Sequence, residues 1–336
     1  MKEKWFWFNR ILYALSFVRV YNAILVNISY FVSNLSKRNL YFGNPISISI
    51  EPTTSCNLKC PECPSGLRKF SRNTGFIEDT TIDRIMQQLS KHLMYVTFYF
   101  QGEPLLHPQF VDYVRRLKSR RLIVSTSTNA HFLNSETADS VISSGLDRLI
   151  VSLDGTDSET YLKYRRGGDF DKVIANISYF MNRKKELKSK SPFVELQFIV
   201  FKHNEHQIDA IKALGKSLGV DYVSIKTAQL YEFEDGNDLM PGLVKYTRYT
   251  KQANGKYQIK SKLPNKCYRM WSGNVITWDG DVVPCCFDKD ADYVFGNIVD
   301  REFDNINKSA EYNEFRHQIL TDRSKIDICR NCTEGL

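Results

Sequence analysis

Three cysteines, Cys56, Cys60 and Cys63, lie within eight residues, directly after the β-branched run 46–50. Cysteine thiolates are the usual protein ligands of iron–sulfur clusters. A [4Fe-4S] cube has four irons, so three thiolates on one short loop leave the fourth iron without a protein ligand. The C-x3-C-x2-C spacing therefore predicts a reactive cluster whose open iron binds a small molecule.

Zinc and disulfides are the other common uses of clustered cysteines. A structural zinc site normally closes with four ligands from C-x2-C pairs, whereas this run supplies three and has no histidine nearby. A disulfide framework is typical of short secreted chains, and this chain of 336 residues shows no convincing secretory signal. Zinc is therefore the alternative to a cluster at this loop.

Residues 51–66, EPTTSCNLKCPECPSG, resemble the signature of the radical S-adenosylmethionine (radical SAM) enzymes. The resemblance implies that the open iron of a [4Fe-4S] cluster on Cys56, Cys60 and Cys63 binds S-adenosylmethionine. It further implies reductive cleavage of that cofactor to a 5'-deoxyadenosyl radical, which abstracts hydrogen from a substrate. The electron would come from a reducing donor such as flavodoxin or ferredoxin.

Composition and charge limit the class of protein. Aromatic residues are 13% and hydrophobic residues 42% of the chain, which excludes disorder and fits one large core with a smaller appendage. Lys and Arg exceed Asp and Glu by 46 − 38 = 8, and the excess is spread along the chain, so no nucleic-acid binding is expected. The eight cysteines fall into two groups, which indicates metal-binding modules and a reducing cytoplasm.

The first 45 residues differ in character from the rest. Aromatic and aliphatic residues alternate with basic ones up to Arg19, and an uncharged stretch follows at 20–36. Asparagine and serine within that stretch make a membrane-spanning helix marginal. Two possibilities stay open for residues 1–40: a helix lying on a membrane surface, or a helical cap packed on the barrel or on another subunit.

Strand-like and helix-like segments alternate after Cys63, as in a parallel α/β fold. The predicted strands are 46–50, 95–100, 122–127, 148–153, 194–201 and 222–227. The predicted helices include one after the capping candidate Asp79 and those at 109–118, 135–144, 171–180 and 205–218. Six units are too few for a closed eight-stranded barrel, and the resemblance implies an open (β/α)6 partial TIM barrel over residues 46–230.

Active residues of parallel barrels lie at the C-terminal ends of the strands. Gln101, Gly102, Glu103 and Pro104 end the second predicted strand. They resemble the family's Gly-Gly-Glu-Pro motif, with Gln101 in place of the first glycine. The resemblance implies that this backbone and Glu103 receive the amino group of S-adenosylmethionine.

The next two predicted strands also end in polar residues on one face, Ser127 with Asn129 and Ser152 with Asp154. The resemblance implies that these positions contact the ribose and carboxylate of S-adenosylmethionine. Arg165 and Arg166 are candidates to bind the same carboxylate, because a guanidinium matches a carboxylate as a fork. The alternative for either arginine is a surface position.

Glu195 lies in the fifth predicted strand, where an acid and an amide, Gln197, alternate with apolar residues. Buried polar groups need partners, and a substrate could supply one. Glu195 is therefore a candidate substrate contact, with a barrel lysine such as Lys226 as the alternative partner.

A second cysteine group begins at Cys267, after a polar bridge at 231–266. The Asp279-Gly280 turn between two β-branched runs predicts a β-hairpin that brings Cys285 back toward Cys267. Residues 267–336 resemble the SPASM and twitch domains of radical SAM enzymes. The resemblance implies one auxiliary [4Fe-4S] cluster, with zinc as the alternative, and its ligands would be Cys267, Cys285, Cys329 and Cys332.

Cys286 is the one cysteine left over. It is a buried small hydrophobe, a substitute ligand for Cys285, or a catalytic thiol that donates a hydrogen atom to a substrate radical, as in some related epimerases. The sequence leaves these three roles open.

The single auxiliary cluster and its cysteine spacing resemble the cyclitol dehydrogenase and epimerases of aminoglycoside pathways. The resemblance favours oxidation or epimerisation of a hydroxylated small molecule, a sugar or cyclitol. Modification of a peptide or protein is one alternative. A protein of another class, a non-catalytic scaffold with zinc in both cysteine groups, is the other.

Overall fold

The structure is a computed structural model that describes residues 2–332, with side chains from Trp5 onward. Its Cα packing separates two compact units. The first unit comprises Met1–Ser55, Phe70–Ser125 and Leu263–Leu336. The second comprises Cys56–Lys69 and Thr126–Lys262. The cysteine loop therefore belongs to the second unit, and the C-terminal cysteine group belongs to the first.

Helices occupy both units. The longer ones are α1 Lys2–Ala14, α2 Phe17–Ser36, α4 Asp79–Leu89, α5 Phe110–Ser119, α8 Phe170–Glu186, α9 Ile208–Leu218 and α12 Ala310–Asp322. The shorter ones are α3 Pro64–Leu67, α6 Ala138–Ser143, α7 Ser158–Tyr164, α10 Arg269–Ser272, α11 Phe303–Asn307 and α13 Asp327–Arg330. Single 3₁₀ turns lie at Pro104–Leu106, Glu205–Gln207, Val244–Tyr246 and Arg323–Lys325.

Ten strands are described. They are β1 Ser47–Ile50, β2 Tyr95–Thr97, β3 Ile123–Thr128, β4 Arg148–Ser152, β5 Phe193–Val200, β6 Tyr222–Thr227, β7 Tyr249–Lys251, β8 Tyr257–Ile259, β9 Gly273–Ile276 and β10 Val282–Val283. Eight form one sheet in the order β10-β9-β1-β2-β3-β4-β5-β6, and β7 pairs with β8. Pairing is parallel for β1 with β2, β2 with β3, β4 with β5 and β5 with β6. The predicted parallel α/β fold class is confirmed.

The predicted hairpin forms, since β9 and β10 pair antiparallel. Its place was not foreseen: β9 also pairs in parallel with β1 and extends the sheet beyond six strands. A glycine begins β9 because a Cβ on Gly273 would lie 2.7 Å from the carbonyl oxygen of Ser47. The antiparallel pair of β7 and β8, inside the stretch predicted as a bridge, was also missed.

Helix ends differ from the sequence expectation in several places: α6 begins at Ala138 rather than at residue 135, and α9 begins at Ile208 rather than at residue 205. Asp79 is the first residue of α4 rather than its cap, which is Glu78. α8 continues to Glu186, well past residue 180, with Arg183, Lys184 and Lys185 in its last turn. Cations there interact favourably with the partial negative charge at a helix C-terminus, which extends the helix.

Apolar side chains of the strands and the facing helices form the cores. In the first unit Ile85 and Leu89 of α4 are buried, as are Val96 of β2 and Val124 of β3. In the second, Val173 and Ile177 of α8 are buried, as are Val151 of β4 and Leu196 of β5. Apolar residues of the strands and of the helices thus contribute together to the core of each unit.

Candidate functional site

The cysteine loop is held by backbone contacts within the second unit. The Lys59 N–H donates to the Arg166 carbonyl oxygen at 2.8 Å. A Cβ on Gly66 of α3 would lie 2.5 Å from the Cys60 backbone nitrogen, so only glycine lets α3 approach the loop this closely. Cys60 is buried, and Cys56 and Cys63 are half-buried. The three sulfurs therefore sit on one closely packed turn.

Burial makes the Cys60 thiolate unfavourable unless a positive charge lies beside it. Burial raises the pKa of the Cys60 thiol to about 11, partly opposed by the Arg165 guanidinium and reinforced by Cys63 and Asp154. The free loop therefore keeps this sulfur protonated near neutral pH, and deprotonation needs positive charge nearby. A metal centre supplies that charge when it binds thiolates.

Asp154 and Arg165 form a buried ion pair beside this loop. The carboxylate atom Oδ2 accepts from Arg165 Nε at 2.7 Å and lies 2.6 Å from Arg165 Nη2. Oδ1 accepts from the Ile199 N–H at 2.8 Å. Burial alone would lower the pKa of Arg165, but Asp154 and Cys60 raise it well above its ordinary value. Both residues were predicted as separate ligand contacts, and the structure joins them to each other.

Asn129 reaches the loop directly. Its Nδ2 lies 3.9 Å from Cys56 Sγ and donates to Asn57 Oδ1 at 2.7 Å. His131 holds the amide in place, since His131 Nδ1 lies 2.9 Å from Asn129 Oδ1 and Nε2 accepts from the Asp169 N–H at 2.9 Å. Burial lowers the pKa of His131. The contacts match a neutral ring with its proton on Nδ1. His131 escaped the sequence analysis because its role depends on neighbours 38 residues away along the chain.

Polar side chains form one row across neighbouring strands of the second unit, beginning near the C-terminal ends of β3 and β4 and continuing inside β5 and β6. Ser127 and Ser152 lie 3.4 Å apart through their Oγ atoms. Ser152 is in register with Gln197, and Gln197 with Ser224. Ser224 Oγ is buried and has no hydrogen-bond partner among the residues described. Of this row, the sequence predicted Ser127 and Ser152 as cofactor contacts and missed Ser224.

Glu195 lies two residues before that row, level with Ile150. It pairs with Arg148, whose Nε donates to Oε2 at 2.9 Å, and not with Lys226. Oε1 is buried and finds no hydrogen-bond partner in the described part of the chain. One oxygen of this carboxylate is therefore satisfied by the protein and the other is not.

The Gln101–Pro104 turn lies in the first unit, where it packs on residues 53–55. Gly102 has φ +72°, and a Cβ there would lie 2.2 Å from the Thr53 carbonyl oxygen. The Glu103 N–H donates to the Ser55 carbonyl oxygen at 2.8 Å, one residue before the first cysteine of the loop. Gln101 and Glu103 are both buried. The turn therefore fixes the chain entering the cysteine loop.

A buried ion pair at Glu51 fixes the same chain further back. Arg72 donates from Nη1 and Nη2 to the two carboxylate oxygens of Glu51 at 2.8 and 2.7 Å. Burial raises the pKa of Glu51, and Arg72 opposes that shift. Nothing in the sequence pattern connects these two residues, which are 21 positions apart.

The C-terminal group of cysteines forms a second site, within the first unit. Cys267, Cys285, Cys329 and Cys332 line one cavity together with Met270, Phe315, Ile319 and Arg323. Burial raises the pKa of Cys285 well above its ordinary value, and the neighbouring Cys286, Cys267 and Cys329 add to that shift. Burial also raises the pKa of Cys329 to about 11, opposed by Arg323.

The chemistry of this donor set restricts what it holds. Within residues 2–332, no three His, Cys, Asp or Glu side chains form a group suited to one metal ion. Four thiols around one cavity are nevertheless the soft donors that suit iron–sulfur clusters or zinc. The four residues thus fit the predicted group. Cys286 is half-buried beside Cys285 and is absent from the described lining of that cavity.

Comparison with known proteins identifies the family. The model of the radical SAM superfamily matches residues 50–214, and that of SPASM, an iron–sulfur cluster-binding domain, matches residues 267–333. GTP 3',8-cyclase of Limosilactobacillus fermentum is 30% identical over 277 residues, covering 71% of this chain and 79% of that protein. The chain belongs to the radical SAM superfamily.

One further relative and two solved structures are also similar to this radical SAM protein. The tungsten-containing aldehyde ferredoxin oxidoreductase cofactor-modifying protein of Pyrococcus furiosus is 25% identical over 314 residues, 84% of this chain and 86% of that one. SuiB of Streptococcus suis bound to S-adenosylmethionine shares the fold, with a TM-score of 0.60, 18% identity and coverage of 91% and 76%. BtrN, in complex with AdoMet and 2-DOIA, has a TM-score of 0.52 at 19% identity, with coverage of 87% and 94%.

Family membership confirms several expectations from the sequence. The protein is an enzyme with a partial TIM barrel, an S-adenosylmethionine-binding [4Fe-4S] cluster and an auxiliary iron–sulfur cluster. The interpretation as a non-catalytic zinc scaffold is set aside, because the relatives are catalysts.

Proposed function

We propose that this radical SAM enzyme oxidises or epimerises a hydroxylated small molecule such as a sugar or cyclitol. The observation that carries the proposal is the polar row across four neighbouring strands of the second unit, formed by Ser127, Ser152, Gln197 and Ser224. The buried Ser224 Oγ lacks a partner among the described residues, and an unsatisfied buried hydroxyl costs free energy unless a ligand completes it. A polyol supplies matching hydroxyl groups. Glu195 Oε1 is a second proposed substrate contact.

The proposed ligands of the reactive cluster are Cys56, Cys60 and Cys63. When bound, cluster and S-adenosylmethionine together supply a 5'-deoxyadenosyl radical for hydrogen abstraction. The protein orients them. Asn129 is proposed to fix the loop through its contacts to Cys56 and Asn57, and His131 to hold that amide.

The remaining cofactor contacts are proposed from the predicted positions. Gly102, Glu103 and the Gln101 backbone would receive the amino group, and Ser127, Ser152 and Asp154 the ribose and carboxylate. Arg166 is proposed to bind the carboxylate. Arg165 already pairs with Asp154, so we assign Arg165 the role of orienting the Asp154 side-chain carboxylate.

Cys267, Cys285, Cys329 and Cys332 are the proposed ligands of one auxiliary [4Fe-4S] cluster. For Cys286 we propose hydrogen-atom donation during epimerisation. The S–H bond breaks as a C–H bond forms at the substrate radical, and the resulting thiyl radical regains one electron and one proton, the electron from a flavodoxin- or ferredoxin-type donor. Cys286 is only half-buried, and a partly accessible thiol supports this assignment.

The proposed organisation comprises an N-terminal helical segment at 1–45, the catalytic core at 46–230, a bridge at 231–266 and the auxiliary domain at 267–336. The proposed location is the reducing cytoplasm, where iron–sulfur clusters persist. Contact with a membrane surface through residues 1–40 is part of this proposal.

The test uses anaerobically reconstituted, reduced enzyme with S-adenosylmethionine and a panel of sugars and cyclitols. We expect a polyol to accelerate release of 5'-deoxyadenosine, and deuterium at the reacting carbon to appear in that product. Cys60→Ala should abolish all release. Acceleration by peptides and not by polyols would overturn the proposed substrate class and favour a peptide-modifying function.

Ser224→Ala separates substrate recognition from cofactor cleavage. We expect the KM for the polyol to rise about five- to tenfold, the cost of roughly one hydrogen bond, with substrate-independent release unchanged. Ser217→Ala is the matched control, because Ser217 Oγ donates only to the Leu214 carbonyl of its own helix at 2.8 Å. Equal KM values for wild type and Ser224→Ala would remove Ser224 from the substrate site.

A further inference from the structure

Helix α2 turns Asn22, Ser29 and Ser33 toward the protein and most of its large apolar residues toward solvent. Asn22, Ser29 and Ser33 are buried and form hydrogen bonds to the backbone of residues 40–44, each accepting from an N–H and donating to a carbonyl. The distances range from 2.8 to 3.3 Å. A helix on the surface of a water-soluble domain normally shows the opposite orientation.

The outward side of α2 carries a continuous apolar stripe. Its members recur at intervals of four and three residues: Phe17, Tyr21, Ile24, Ile28, Phe31 and Leu35. Phe17 is 85% exposed, Phe31 68% and Leu35 77%. Helix α1 adds Trp5, Phe8, Ile11 and Leu12. We name these ten residues the apolar face, and a patch of this kind marks an interaction surface.

Hydrogen bonds from Arg19 hold α2, and with it the apolar face, in one orientation. Arg19 is buried in α2 and donates from Nη1 to the Ala14 carbonyl at 2.7 Å and from Nη2 to the Ser90 carbonyl at 3.0 Å. It also donates to the carbonyls of Arg120 and Arg121 at 2.6 and 3.0 Å. Together with the serine and asparagine contacts, this arginine fixes which side of α2 faces outward.

The charge around the apolar face is basic. Residues 1–38 contain six basic residues and one acidic residue, Glu3. Lys37 and Arg38 are exposed at the end of α2. At the end of α1, Lys118 and Arg121 lie over the Tyr13 ring, 5.0 and 5.4 Å from its centre. Such a rim complements anionic lipid headgroups.

The geometry points to an anionic membrane surface as the partner of the apolar face, with α1 and α2 lying in the lipid interface. A second copy of the chain is the competing occupant, because the stripe has coiled-coil spacing. Coiled-coil pairs are usually specified by charged residues flanking the stripe, and residues 20–36 carry none. No described helix is by itself long and apolar enough to cross a membrane, and α1 and α2 meet that criterion only as a pair bent by 103°. These features describe a surface-bound segment. The inference deepens the proposed location and is independent of the radical chemistry.

The experiment is cosedimentation of the full-length enzyme with vesicles of phosphatidylcholine alone or mixed with phosphatidylglycerol. We expect binding to the mixed vesicles, weakened by salt. The triple substitution Ile24→Ser, Ile28→Ser and Phe31→Ser should lower the partition coefficient at least about a hundredfold, because three apolar side chains no longer enter lipid. Lys37→Gln with Arg38→Gln should lower it about fivefold per charge and only on anionic vesicles.

The matched control replaces three equally exposed apolar residues outside the apolar face, Leu187, Leu243 and Val244, with serine. Its binding should equal that of the wild type. If the Ile24/Ile28/Phe31 variant bound vesicles as well as the wild type does, the inference would be overturned. It would also be overturned if the wild type formed a stable dimer that did not bind vesicles and that the triple substitution dissociated. Release of 5'-deoxyadenosine by each variant tests the radical chemistry separately, so the two proposals fail independently.

Discussion

Substitution of Arg165 by methionine tests whether the buried pair with Asp154 organises the second unit. Methionine fills much of the space of the arginine stem but cannot donate to the carboxylate. The substitution removes the contacts at 2.7 and 2.6 Å from Oδ2 and, among the residues described, leaves the Asp154 carboxylate only the Ile199 N–H on Oδ1. Each hydrogen bond to a charged group contributes about 1.5–3 kcal/mol, and breaking a buried ion pair costs about 3–5 kcal/mol.

Native-state hydrogen exchange measures this cost where it arises. A loss of about 3 kcal/mol raises the opening equilibrium of β4 and β5 more than about a hundredfold, since 1.4 kcal/mol is a factor of ten. Peptides from β1 and β2 serve as an internal control, because they belong to the first unit. The four tryptophans of the chain, residues 5, 7, 271 and 278, all lie in that first unit, so fluorescence would not report on the pair.

Asp154→Asn combined with Arg165→Met completes a double-mutant cycle. An amide still accepts from Ile199 and no longer leaves a buried charge, so the double variant should lose less stability than Arg165→Met alone. The coupling free energy should reach about 2–3 kcal/mol. The pair would not be the organising contact if hydrogen exchange of β4 and β5 in Arg165→Met stayed within a factor of a few of the wild-type rate. The same conclusion would follow if the stability losses of the two single substitutions simply added in the double variant.

Three further outcomes are expected. Gly102→Ala should abolish S-adenosylmethionine binding, measured by calorimetry, because the new Cβ would lie 2.2 Å from the Thr53 carbonyl oxygen. The control is Gly219→Ala, where φ is +74° and a Cβ would meet nothing within 4 Å; it should lower the free energy of unfolding by only about 1 kcal/mol and leave binding intact. In the cluster-free protein, burial raises the pKa of Cys60 to about 11 from an ordinary value of 9.0, so the folded state favours the protonated thiol. The urea concentration at the unfolding midpoint should therefore be constant below pH 9 and fall as the pH rises to 11, and the fall should be less steep in Cys60→Ser. Cys329→Ser should halve the iron content without ending release of 5'-deoxyadenosine, and unchanged iron would remove it from the ligand set.

Local patterns in the chain were sufficient for the family and for the catalytic chemistry. The spacing of Cys56, Cys60 and Cys63 is a property of eight consecutive residues, and cluster chemistry needs only that short loop. The alternation of strands and helices likewise follows from the period of apolar residues, so β4, β5 and β6 lie within a residue or so of their predicted bounds.

The partners of buried charges and the orientation of faces were decided by tertiary structure. Sequence chemistry correctly marked Asp154 and Arg165 as important polar residues, but only packing brings the guanidinium onto the carboxylate and Arg72 onto Glu51. Periodicity shows which residues of α2 share a side, but not whether that side meets protein or solvent. That choice depends on backbone groups at residues 40–44, which satisfy the polar side of the helix and leave its apolar side exposed.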